Sequence, residues 1–88
     1  MSVQEDFIRV EITTGQTMVE FASAELKAGK LDVAQRAFHK AKVALDTARR
    51  FMPFIASNNK SYEELNFGIE RLQRAMDQYE RDQHSTMP

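Results

Sequence analysis

The chain has 88 residues, 42 % of them apolar and 28 % charged, no cysteine and a formal net charge of −1. That length holds one small domain with one core, and the missing cysteines exclude both a disulfide framework and a thiolate metal site, so stability must come from packing or from a partner. The near-neutral balance excludes a general attraction to nucleic acid or anionic lipid, and no apolar run reaches the roughly 18–20 residues needed to span a bilayer.

The start of the chain, Met1 to Phe7, lacks the basic and apolar segments of a secretion signal, so a cytoplasmic location is expected. Ser2-Val3-Gln4-Glu5 has the spacing of a capping box, in which the hydroxyl and the carboxylate satisfy each other's free backbone donors, and a first helix is expected over residues 3–27. Its apolar positions, from Val3, Phe7, Ile8, Val10 and Ile12 to Met18, Val19, Phe21, Ala22 and Leu26, cover more than half the circumference, enough for two neighbours. Thr13, Thr14 and Gly15 are weak helix formers, but Ile8, Ile12, Val19 and Leu26 keep phase across them. One continuous helix is therefore expected, with Gly15 making room for a bulky neighbour. Glu11 falls on the apolar face, where a carboxylate needs a partner, and Arg49 of the next helix is the expected one.

Gly29 marks a helix stop in the left-handed conformation, and a second helix is expected over residues 32–52. The short connection makes the two helices antiparallel, with Phe38 near Phe21, Ala41 near Met18, and Leu45 beside Gly15. Ala34, Ala37, Ala41, Ala44 and Ala48 recur at steps of three and four, a stripe short enough to let a neighbouring backbone approach closely. This helix reads as the element around which the others are arranged. It is also basic. Residues 27–50 carry seven bases against Asp32 and Asp46, whereas residues 1–26 carry five acids against Arg9 and residues 51–88 six acids against four bases. Alternating charge of this kind favours antiparallel neighbours.

Met52-Pro53 should end or bend the second helix, since proline removes a donor and disfavours α geometry before it. Phe51, Phe54 and Ile55 would then fold over the end of the bundle, and residues 57–60 form a polar turn. Ser61-Tyr62-Glu63-Glu64 repeats the capping-box spacing and opens a third helix over residues 61–82, with Tyr62, Leu65, Ile69, Leu72, Met76 and Tyr79 as its stripe. An antiparallel register with the second helix sets Leu72 opposite Leu45 and Tyr79 near Phe38, its hydroxyl at the rim. Residues 83–88 are expected to be a disordered tail. The expected fold is an all-α, antiparallel three-helix bundle formed by residues 1–82.

Phe21-Ala22, then Ala34, Phe38 and Ala41, resembles the helical hairpin of a tetratricopeptide repeat over about residues 18–45, although Glu25 replaces a large residue of that pattern and Asp46 its closing proline. With a third helix and no second repeat, the chain is similar to the microtubule-interacting and trafficking (MIT) domain. That resemblance implies a three-helix bundle whose grooves hold short partner segments. The matching residues are packing residues, so no binding residue is carried over.

No phosphate-cradling glycine loop or nucleophile elbow occurs, and His39 and His84 lie too far apart to share a metal. No catalytic, cofactor or metal residue and no small-molecule substrate is therefore expected. Phe67 falls opposite the stripe of the third helix, and Phe67, Phe54 and Ile55 are the large apolar residues left over for a partner. The expected role is a non-enzymatic protein–protein interaction module that presents a groove or helix face to another protein or to its own copy. The alternative, nucleic-acid binding through Arg36, Lys40, Lys42, Arg49 and Arg50, is disfavoured by the interleaved Asp46, the pI of 6.1 and the lack of a helix-turn-helix pattern.

Overall fold

A computed structural model describes residues 3–86, in which α1 spans Val3–Lys27, α2 Leu31–Phe51 and α3 Lys60–Thr86. The fold is the expected all-α three-helix bundle, and α1 runs unbroken through Thr13, Thr14 and Gly15. Ser2, half of the first capping pattern, lies outside the described residues.

The turn after α1 follows from Gly29, whose φ of 81° is open to glycine and costly for other residues. Lys30 N–H donates to the Glu25 carbonyl at 2.9 Å and Gly29 N–H to the Leu26 carbonyl at 3.0 Å, the paired bonds of a Schellman motif. This reversal lays α2 antiparallel on α1 in the most extensive pairing of the bundle. All five alanines of the α2 stripe are buried.

α2 ends at Phe51 and tightens into a 3₁₀ turn, Met52–Phe54, with Pro53 inside it. Residues three apart eclipse in such a turn. Met52 and Ile55 consequently both tuck into the core, at 8 % and 6 % exposure, while Phe54 between them faces outward at 68 %. The chain enters α3 through Asn59, and not through Ser61 as the capping-box spacing suggests. The Asn59 carboxamide oxygen accepts from Ser61 N–H at 2.8 Å, leaving Ser61 Oγ to accept from Arg9 at 3.1 Å.

α3 lies parallel to α1. Asn59 Nδ2 donates to Glu5 Oε2 at 3.2 Å, Arg9 pairs with Glu64 at 3.5 Å, and further along Ile12 fits against Gly68 and Leu72 against Gly15. A Cβ at Gly15 would fall 2.5 Å from Leu72 Cδ2, and one at Gly68 3.2 Å from Ile12 Cδ1, so each helix offers the other a glycine hole for an aliphatic knob. The room at Gly15 is thus filled by Leu72 of α3 and not by Leu45 of α2. Contact between α2 and α3 is slight by comparison. The organising element is therefore α1, which touches both neighbours, and not the alanine-striped α2.

α3 continues to Thr86, past the expected end at residue 82. Side-chain bonds one turn apart support the extension: Gln78 donates to Asp82 at 2.9 Å, Arg81 to Gln78 at 2.8 Å, and Ser85 Oγ to the Arg81 carbonyl at 3.1 Å. Of the expected disordered tail, residues 83–86 are helical, and 87–88 lie outside the described residues.

Candidate interaction surface

Two helices of a three-helix bundle leave a groove on the side that the third does not cover. Here α3 occupies one side of the α1–α2 pair, and the opposite side is an open groove of about 940 Å³ bordered by Met18 and Phe21 of α1 and by Val33, Arg36, Ala37 and Lys40 of α2. Helical spacing extends both walls. On α1, Phe7, Val10 and Phe21 share a face and are all exposed; on α2, Arg36, Lys40, Val43 and Arg50 share one, with Val43 half exposed. At the far end, Phe7 meets Phe51 edge-on with ring centroids 5.0 Å apart, and Phe51 meets Phe54 at 5.8 Å. The result is a face with an aromatic cluster at one end and Phe21 at the other, with Thr14 and Thr17 exposed between them.

The three residues expected to meet a partner go to three places. Phe54 joins that face. Ile55 is buried in the core and presents no surface, because the 3₁₀ turn carries it inward with Met52. Phe67 is 56 % exposed but stands apart on the outer side of α3, with the Arg71 guanidinium 5.9 Å from its ring centre as a cation–π neighbour. Sequence reasoning missed Phe7, Val10 and Phe21 as a surface. Their signal was the breadth of the α1 apolar face, which two neighbours were expected to consume; both neighbours sit on one side and leave the rest uncovered.

The bases of α2 are divided. Arg36 and Lys40 edge the groove together with Asp32, and Arg50 follows on the same helix face; none of the three bases pairs with an acid among the described residues, whereas Lys42 lies on the other side, 6.0 Å from the Phe38 ring centre. No ion pair forms between Glu11 and Arg49. Glu11 is half-buried at the α1 edge, and Arg49 is exposed on a different face of α2. The buried acid is Glu5, 7 % exposed and bonded to Asn59. Among the described residues, no group of three His, Cys, Asp or Glu side chains could hold a metal, and no helix is long and apolar enough to cross a membrane.

Tyr79 meets Phe38 as the antiparallel register predicts, in a stack with centroids 4.4 Å apart. Its hydroxyl, expected at the rim, is instead buried without a hydrogen-bond partner, and that burial raises the phenol pKa above its ordinary 10.0. The unfolded chain ionises near pH 10 while the folded one holds its proton, so this contribution to stability is complete below pH 10 and falls as pH rises beyond it. Tyr79→Phe removes the unpaired group and should be neutral or stabilising by about 1–3 kcal/mol, with a flatter alkaline loss, in urea titrations at pH 8 and above pH 10. A clear destabilisation would show that the hydroxyl is satisfied. Comparison with protein-family models, curated proteins and solved structures returns no match.

Proposed function

We propose that the chain is a non-enzymatic, cytoplasmic protein–protein interaction module that docks protein partners on the open groove between α1 and α2. The observation that carries this reading is the set of large apolar side chains left uncovered there: Phe7, Val10, Phe21, Val43 and Phe54 are 39–68 % exposed. Several large apolar side chains exposed on one face, beside a charged margin, mark a surface that a partner covers more often than one left to solvent. The hairpin's likeness to a tetratricopeptide repeat, and that of the whole bundle to a MIT domain, support the same reading, since such bundles hold short segments in their grooves. A cysteine-free chain also needs no oxidising compartment.

A photo-crosslinking amino acid placed at position 21, and in a separate chain at position 67, tests the proposal in living cells. Position 21 should give discrete protein adducts and position 67 few, because Phe67 stands alone. Adducts from neither position would refute the docking role, and adducts from position 67 alone would move it to α3.

A further inference from the structure

The two walls of the groove differ in sign. Along α1, Phe7, Glu11, Met18 and Glu25 fall in one row, Glu25 with Lys30 at 3.9 Å; along α2, Asp32, Arg36, Lys40, Val43 and Arg50 fall in another, three bases against one acid. Phe7 against Phe51 fixes the antiparallel register, and it sets Glu11 within one turn of the level of Arg50 and Glu25 within one turn of the levels of both Arg36 and Asp32, so that α2 is basic on balance and not at every level. We infer that the occupant of this groove is a second copy of the chain, related by a two-fold axis parallel to the helices. This rests on the reading of the groove as a docking face and adds the identity of the partner.

Of the in-plane two-fold arrangements, one lays α1 over its own copy and sets acid on acid and base on base. The other, with the axis along the helices, lays α1 of each copy antiparallel over α2 of its partner and brings each acidic wall onto a basic one. The second gives a four-helix layer of α1, α2 and their copies, with antiparallel neighbours throughout and both α3 helices outside. Phe7, Val10 and Phe21 then cover the partner's α2, and its Val43 lies between the bases. The size is adequate: the 25 residues of α1 make a face about 37 Å long. Across a bundle 16–18 Å wide, this gives roughly 600 Å² per copy, at the lower end of specific interfaces.

Sedimentation equilibrium of the full chain at about 100 µM, where a micromolar dimer is almost fully formed, reads the state directly. The wild type should be a dimer, and Phe21→Asp and Val43→Asp should each weaken it at least about tenfold while the helical circular dichroism is retained. The decisive pair reverses one wall at a time, Glu11→Arg with Glu25→Arg in one chain and Arg36→Glu with Arg50→Glu in another. Each alone should be monomeric, and an equimolar mixture should recover the dimer, because one contact then sets the basic α1 on the acidic α2 and the other the unaltered acidic α1 on the unaltered basic α2. A monomeric wild type overturns the inference; crosslinks from position 21 to a different protein would then leave the docking role standing with a foreign occupant. A wild-type dimer unaffected by Phe21→Asp and by either wall reversal overturns the placement, as does a mixture that stays monomeric.

Discussion

Leu72→Ala should lower stability by about 2–5 kcal/mol, measured by urea unfolding, because it removes a fully buried side chain that the surrounding helices cannot collapse to replace. A domain of this size rarely has more than ~5–15 kcal/mol in hand, so the variant should melt many degrees lower or fail to fold. The partner residue sharpens the test. In the wild type, Gly15→Ala gains about 1 kcal/mol of helix propensity but drives its Cβ to 2.5 Å from Leu72 Cδ2, and Leu72 has no exposed surface into which to retreat. The net effect should be a loss. With Leu72→Ala already present the obstruction is gone, and Gly15→Ala should stabilise. A double-mutant cycle with this change of sign locates α3 on α1, whereas Gly15→Ala that stabilises both backgrounds would show that Leu72 packs elsewhere.

Element types and the limits of α1 and α2 were legible because the apolar periodicities are strong and the stops are chemically distinct. Gly29 supplies a positive φ, and Pro53 interrupts the helical ladder; both act within a few residues, which is the range that local sequence reasoning sees. The end of α3 was misjudged because its last turns hold few apolar residues, and the Gln78–Asp82 and Ser85–Arg81 bonds that sustain them are polar. The cap of α3 shifted from Ser61 to Asn59 because Arg9, fifty-two positions away, engages the serine hydroxyl. Such a competitor is visible only once α1 and α3 are side by side.

The candidate surface was less legible for a related reason. An apolar residue reads the same in sequence whether it faces a neighbour within the chain or nothing at all, so the wide face of α1 could not be divided between core and surface until the positions of α2 and α3 were known. Ile55 shows the converse error: it looked surplus to every stripe because it lies outside the helices, and the 3₁₀ turn buries it. The Glu11–Arg49 pairing failed through rotation and not through register, since the level is about right but Arg49 is turned to another face of α2.

The alanine stripe carries the second large effect. Ala41 is completely buried near the middle of α2, where its short side chain sets how closely α1 can approach. Ala41→Leu adds three carbons at a fully buried position, so the helices must part or neighbouring side chains must leave their rotamers, and a loss of about 1–3 kcal/mol or more is expected. Leucine is a good helix former, so propensity cannot account for that loss. Arg49→Leu, on an exposed part of the same helix, supplies the control and should stay within about 0.5 kcal/mol of the wild type. Thermal melts of both variants followed by circular dichroism decide the matter. A clear loss for Ala41→Leu beside an unchanged Arg49→Leu fixes the stripe as the close-packed seam, and equal melting temperatures for the two would mean that α1 and α2 stand far enough apart to admit a leucine, removing the steric reason for a row of alanines.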